Sequence, residues 1–278
     1  MILSVPILLT VLSGVWGQAD SQDPAVVERR DTVGGTRLSP QPLRTIEHNA
    51  FNVGERLIFD VGYGFIIAGE ARMEIPTLDT VQGRECLKVT FRVNSTPSFS
   101  WIYKVEDYYE TYLDRFGVFP WRFVQRIREG SFKRDFEADF DHVKNKARTT
   151  EGEYPIPSFV HDIVSAFYYV RTLDFSKSRV GEKVYLENFY KDKTYPLAVK
   201  FLGRQRIEVE AGVFQCILIE PLVKEGGLFK SEGRVIIWMT DDEKKIPVKV
   251  STQILIGSIY AELREYAGVS GAVKAKVQ

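Results

Sequence analysis

Phe132-Lys133-Arg134-Asp135-Phe136-Glu137-Ala138-Asp139-Phe140-Asp141 decides the fold. In an extended chain Phe132, Arg134, Phe136, Ala138 and Phe140 share one side, while Lys133, Asp135, Glu137, Asp139 and Asp141 share the other. A strand with one apolar and one wet face belongs to an antiparallel sheet that covers a core. The same period of two recurs outward in both directions. Glu55–Val61 aligns Leu57, Phe59 and Val61, and Glu70–Ile75 aligns Ala71, Met73 and Ile75. Further alternating runs fall at 84–93, 107–113, 121–128, 234–240, 246–254 and 258–266, with Gly, Pro, Asn and Asp between most of them, as a meander requires.

One segment departs from this period. After Pro155 and Pro157, apolar residues at 160, 163, 164, 167 and 170 follow helical spacing, with Ser158 placed to cap the first turn. The spacing predicts one amphipathic helix over 158–171, packed on a sheet because so short a helix is marginal alone.

The halves on either side of this helix resemble each other. Val53-Gly54-Glu55-Arg56-Leu57 corresponds to Val180-Gly181-Glu182-Lys183-Val184, and the strands of Cys86 and Cys216 correspond. The strand, acidic turn, Pro and strand of 112–122 return at 238–248. Gly54 to Cys86 spans 32 residues and Gly181 to Cys216 spans 35; Cys86 to Pro120 spans 34 and Cys216 to Pro247 spans 31. The expected architecture is mainly β: an antiparallel two-sheet sandwich or barrel-like fold from two related halves, 51–150 and 180–266, joined by the helix.

The ends are read differently. The apolar run Ile2 to Val15, closed by Val15-Trp16-Gly17, is the pattern of a signal peptide over 1–17 cut before Gln18, and it is short for a membrane span. Residues 18–49 and 269–278 read as tails flanking a single β-rich domain at 50–268, the first having too few apolar side chains to offset ordering entropy. The reading is a periplasmic or otherwise exported chain, with no transmembrane span after cleavage. Lys plus Arg and Asp plus Glu each total 37, so the net charge of 0 gives no electrostatic footprint for nucleic acid.

Several short motifs in order carry a resemblance: Val53-Gly54-Glu55-Arg56-Leu57, Ala68-Gly69-Glu70-Ala71, Ile102-Tyr103-Lys104-Val105-Glu106-Asp107, Phe119-Pro120, the run 162–171 and Ile237-Trp238-Met239-Thr240-Asp241-Asp242. Over roughly Phe51 to Gly268 the chain resembles a domain-of-unknown-function family of exported bacterial proteins. The resemblance implies a fold related to YmcC-type capsule lipoproteins, an envelope or polysaccharide-assembly context and no demonstrated activity. This chain lacks the lipoprotein cysteine of the YmcC-type pattern.

Candidate chemistry is thin. Only three histidines occur, His48, His142 and His161, and nothing near them supplies a metal-ligand set or a nucleophile, so no cofactor, metal site or catalytic triad is assigned. Cys86 and Cys216 have two readings, a disulfide or two separate small residues, and period-two phasing turns both away from the main apolar faces. Between Phe99 and Phe123, ten of 25 positions are aromatic, Trp101, Tyr103, Tyr108, Tyr112 and Trp121 among them. Rings with polar tips suit a saccharide or lipid surface. Asp162 and Arg171 on the helix and Trp238 in the second half join them as ligand-binding candidates. The first functional reading is a non-catalytic envelope protein binding a glycan, lipid or assembly partner. The alternative is an envelope hydrolase acting on a glycan through a carboxylate pair drawn from Glu106, Asp107, Asp114, Asp162, Asp241 and Asp242, which requires two carboxyls about 5 to 9.5 Å apart.

Overall fold

The computed structural model describes residues 43–223, 234–253 and 257–277. The expected signal peptide and most of the first tail lie outside the described residues. The elements are β1 (Arg56–Tyr63), β2 (Ile66–Val81), β3 (Arg84–Ser95), α1 (Pro97–Ser100), β4 (Glu106–Asp114), β5 (Pro120–Glu129), β6 (Phe132–Asp141), β7 (Lys146–Thr149), β8 (Glu153–Pro155), α2 (Ile163–Arg171), β9 (Lys183–Tyr190), β10 (Lys193–Val209), β11 (Gly212–Val223), β12 (Val235–Thr240), β13 (Pro247–Gln253), β14 (Ser258–Ala267) and β15 (Lys276–Val277).

All strands join one antiparallel sheet in the order β8-β7-β6-β5-β4-β3-β2-β1-β14-β13-β12-β11-β10-β9, with β15 beside β11. Two meanders meet along β1 and β14, where Val61 faces Ala261 and Tyr63 faces Ile259. The sheet curls until its edges approach: Tyr154 and Phe189 rings lie 6.2 Å apart, and Phe136 and Tyr190 rings 5.8 Å. The chain just before α2 fills the gap. His161 N donates to Glu187 O at 2.9 Å and Phe189 N to His161 O at 2.7 Å, which satisfies part of the β9 edge without closing the ladder. Of the two architectures expected, the structure is the barrel-like one, a single curled and unclosed sheet.

The register defines two ends. The connections 63–66, 95–106, 129–132 and 190–193 lie at one, here the rim; 81–84, 114–120, 141–146, 209–212 and 240–247 lie at the other, the base.

Two expectations about length change at the base. Residues 43–49, assigned to a tail, are docked: Arg44 Nε and Nη2 donate to Gly117 O and Val118 O at 2.8 Å each, and the guanidinium lies over the Tyr169 ring at 4.6 Å. The second tail is also anchored, with Gln215 N donating to Ala275 O at 2.8 Å and β15 pairing with β11. Composition missed both because these segments add few apolar side chains and are held by hydrogen bonds to turn carbonyls.

The helix is shorter than its apolar spacing suggests. It begins at Ile163, and Asp162, not Ser158, is its cap: Asp162 Oδ1 accepts from Val164 N at 2.8 Å and Ser165 N at 2.9 Å, while Ser165 Oγ accepts from Asp162 N at 2.9 Å. This reciprocal pair outcompetes an earlier start. Phe159 at φ 58° and the bridge of His161 to Asn188 keep the preceding turn out of the helix.

The local geometry of one half recurs in the other. Gly54 and Gly181 both stand at φ 95°, which favours glycine. Gly54 N donates to Ile75 O at 2.8 Å and Gly181 N to Phe201 O at 2.8 Å; Ile75 N returns to Glu55 O at 2.9 Å and Phe201 N to Glu182 O at 2.8 Å. Each half also has a register shift opposite its Pro, at Tyr112/Leu113 and at Trp238/Met239.

Of the two readings of Cys86 and Cys216, the structure has the separate residues, not the disulfide. Both are free thiols and both are fully buried, on strands with β2, β1, β14, β13 and β12 between them. The faces onto which phasing turned them are themselves covered, Cys86 by Phe119 and Trp121 and Cys216 by the main core. Burial pushes each thiol up to about 12.

At the base Arg171 and Glu55 form a fully buried ion pair, with Nη1 to Oε1 at 2.6 Å and Nη2 to Oε2 at 2.7 Å. Arg171 also donates to Ala50 O at 3.0 Å and to Lys244 O at 3.2 Å. Replacing Arg171 by Met leaves Glu55 charged and buried and two carbonyls unpaired, so R171M is expected to lose about 3–5 kcal/mol of unfolding free energy. Urea titration checks this, and the double variant R171M/E55L should recover only part of the loss.

Candidate functional site

Above α2 the barrel is not filled. A cavity of about 160 Å³ lies between Ile163, Val164, Ala166, Phe167 and Val170 of α2 and the inner faces of β1–β4 and β10–β14. Among the described residues that line it, Tyr109 and Tyr260 alone have a polar side-chain group. The space exists because Ala71, Ala166 and Ala261 present methyl groups where a Leu or Phe would reach across. Val235, which opens β12, and Ile259, the second residue of β14, carry the wall up to the rim. Apolar cavities of about 150 Å³ stay dry and take up benzene-sized molecules.

A second concavity, an open groove of about 610 Å³, lies on the outer face. Tyr108, Glu110 and Tyr112 of β4, Arg122 and Arg126 of β5 and Glu137 of β6 form its floor, and Asp79–Gln82 form a wall. Gln82 Nε2 reaches Phe140 O at 3.3 Å, which holds that hairpin tip across the sheet. The groove's charged groups are occupied with one another. Tyr108 Oη donates to Glu110, Lys88 Nζ sits 3.0 Å from Glu110, and Arg122 Nη2 sits 2.8 Å from Glu137. Arg92 lies over the Tyr108 ring at 4.4 Å and Lys88 over Tyr112 at 5.5 Å, so each ring has one face covered by a cation.

The structure scatters the residues singled out from sequence. Trp101 stands at the rim, 82% exposed. Tyr103 is half-buried beneath Gly130, Tyr108 and Tyr112 share the outer groove, and Trp238 is a separate residue whose Nε1 donates to Gln205 Oε1 at 2.9 Å. Trp121 is core, its Nε1 donating to Asp114 Oδ2 at 2.9 Å. Asp162 caps α2 and accepts from Thr111 Oγ1 at 3.0 Å, and Arg171 pairs with Glu55. The cavity residues carry no chemical motif. The one signal for them was the apolar stripe of the helix.

The carboxylates also separate. Glu106 pairs with Lys104 at 2.8 Å and Asp241 with Arg204 at 2.8 Å, both at exposed positions. Asp114 accepts from Phe116 N and Gly117 N in its own turn. Asp242 does the same for Lys244 N and Lys245 N in the corresponding turn. In the outer groove Glu110 and Glu137 both face Val124, which puts them two strand spacings, about 9.6 Å, apart. Glu110 is nevertheless held below the usual carboxylate range, because hydrogen bonds from Tyr108, Lys88 and Tyr112 outweigh its burial. Glu137 is shared by Arg122 and Arg126. A glycosidase acid needs its proton at neutral pH, and Glu110 is held the other way.

One carboxyl pair does favour a proton. Asp107 and Glu129 are buried together, with Arg128 N donating to Asp107 Oδ1 at 2.6 Å. Burial first, then the Glu129 charge, push Asp107 up to about 7, while burial raises Glu129. This pair touches its own strands and opens on neither concavity.

A family model described as a protein of unknown function, DUF3108, matches residues 58–264. No curated protein matches the chain. Among solved structures, a beta-barrel-like protein of domain of unknown function DUF1849 from Brucella abortus is similar at 10% identity and TM-score 0.50, covering 77% of this chain and 97% of that one. This likeness concerns the fold alone. A "putative lipoprotein" from Parabacteroides distasonis matches at 10% identity and TM-score 0.37, covering 80% and 99%. A "putative exported protein with YmcC-like fold" from Bacteroides fragilis matches at 9% and 0.35, covering 80% and 98%. These last two likenesses are too slight to bear on the fold.

The buried acids set a pH dependence. Asp107 titrates near 7 and Asp162, raised by burial, near 6, against about 3.9 in an unfolded chain. Between these limits the folded chain holds the extra protons, so their contribution to stability is present at low pH and lost as pH rises. His48 and His142, lowered by burial to about 4, act in the opposite sense. The comparison of Asp107→Asn with the parent removes these shared terms. The variant's stability relative to the parent is expected to rise between about pH 4 and 7 by up to about 1.4 kcal/mol per pH unit. Parallel denaturation curves across that range would contradict it.

Proposed function

The chain belongs to the DUF3108 family of proteins of unknown function, and we propose that it is a non-catalytic, exported envelope protein that binds an apolar chain, such as a lipid acyl group, between α2 and the two halves of the barrel. The observation that carries the reading is the wall of the 160 Å³ cavity, almost wholly apolar among the described residues and reaching from the helix to the rim. A glycan would leave its hydroxyls without partners there, at a cost of several kcal/mol. An apolar chain loses nothing by entering and gains about 25 cal/mol per Å² removed from water. Export is supported by the apolar run Ile2 to Val15 followed by Val15-Trp16-Gly17.

The two-halved design supports the same reading. We propose that the halves are a duplicated unit, on the strength of the matched anchors Gly54/Gly181, Cys86/Cys216 and Pro120/Pro247 and the matched hydrogen bonds around the two glycines. Strands of both halves wall the cavity, and neither half encloses it alone.

The test is uptake of N-phenylnaphthylamine, a small apolar dye whose fluorescence rises on burial, by the full chain. Ala261→Phe puts a ring into the space from a half-buried position where overpacking costs little, about 1–3 kcal/mol. A261F is expected to weaken uptake at least tenfold with an unchanged circular dichroism spectrum, whereas Phe91→Ala should keep uptake and admit bulkier dyes. Parent-like uptake by a folded A261F would rule the cavity out.

A further inference from the structure

Chain segments dock on the base of the barrel, and at the rim, among the described residues, several large apolar side chains stand exposed. Phe65, at the tip of the β1–β2 hairpin, is 96% exposed, and Ile66 and Ile67 beside it are each more than half exposed. Trp101 and Ile102, in the β3–β4 connection, are 82% and 63% exposed, and Phe132 opens β6 more than half exposed. These six side chains belong to adjoining tips: Thr96 N donates to Ala68 O at 2.8 Å, Gly130 N to Lys104 O at 2.8 Å, and Val105 bridges Glu129. They also stand where the cavity wall ends. Scattered single apolar residues on a surface need no explanation, but six large ones on adjoining tips do.

We infer that this rim is a docking surface for a lipid bilayer, through which the cavity exchanges its apolar chain with the membrane. The inference rests on the cavity reading for its purpose, not for its chemistry. Side chains raised on separate hairpin tips suit shallow insertion among headgroups and acyl ends, with Trp101 at the depth that tryptophan favours. A flat protein interface would instead be a continuous packed face. Charge is not the attraction. The chain has net charge 0 and Lys104 at the rim is paired with Glu106 at 2.8 Å, so the apolar tips are what the inference relies on. Insertion of apolar tips beside an apolar mouth lets a chain pass without crossing water.

Flotation of the full chain with vesicles tests it, using phosphatidylcholine alone and a mixture of phosphatidylethanolamine and phosphatidylglycerol. The parent should float with both, equally at 0.15 and 1 M salt as screening has little to act on. F65S/W101S should need at least tenfold more lipid for half-binding, whereas Tyr185→Ser, also an exposed aromatic but on β9, should bind as the parent does. Failure of the parent to float, or parent-like flotation by F65S/W101S, overturns the inference. So does a parent that sediments as a dimer broken by F65S/W101S, which would make the rim a contact between two copies. The cavity reading is judged apart: dye uptake without flotation leaves the cavity standing and removes the docking surface, and flotation by A261F with its dye uptake intact does the reverse.

Discussion

The ion pair of Arg171 with Glu55 is the constraint on which the rest of the molecule depends. A guanidinium with no exposed surface sits between the last turn of α2, the entry to β1 and the turn of 241–246. Burial opposes its charge, yet Glu55 more than offsets this and holds the group above its ordinary pKa. Its bonds to Glu55, Ala50 O and Lys244 O spread one cation over three segments, and the Phe51 and Tyr168 rings close over it at 5.2 and 5.1 Å. A buried pair of this kind contributes little net stability against an apolar substitute. What it specifies is position: α2 can end in only one place, against the first strand of one half and a turn of the other.

That fixed end determines what the helix leaves unfilled. With Asp162 tied to Thr111 of β4 at one terminus and Arg171 tied to the base at the other, α2 lies across the lower bore and its upper side faces the cavity. Sheet curvature supplies the walls, and three alanines withhold the atoms that would close the gap. Segments at both chain ends then cover the base, through Arg44 on the 114–120 turn and Ala275 N on Asp242 Oδ2. Docked segments at the base and exposed apolar tips at the rim, among the described residues, give the barrel a direction.

Much of this was legible in the sequence, and what was not has identifiable causes. Period-two alternation located the strands because each buries one face, and glycines at φ 95° marked the matching strand entries in both halves. The helix start was misplaced because Ser158 and Asp162 are both capping residues, and only the tertiary bridge of His161 to Asn188 chooses between them. The aromatic cluster divides since neighbours on a strand face opposite ways: Tyr109 enters the core while Tyr108 and Tyr112 go to the outer groove. Phasing turns both cysteines away from the main apolar faces, and the faces they occupy are covered as well. Beyond the apolar stripe of the helix the cavity left no local signal, since Ala71, Ala166 and Ala261 are far apart in sequence and unremarkable singly.

The buried acids bear on the cavity through water. Tyr109 lines it, and next along the same inner face of β4 stands Asp107, against Glu129. Two ionised carboxylates there would favour hydration of the adjoining space, since a buried charge is costly without water or a cation. A proton on the pair removes one of the two charges. The high affinity of this pair for a proton thus has a structural consequence beyond its own strands. It allows polar side chains to stand next to an apolar chamber without drawing solvent into it, and so leaves the chamber dry for an apolar occupant.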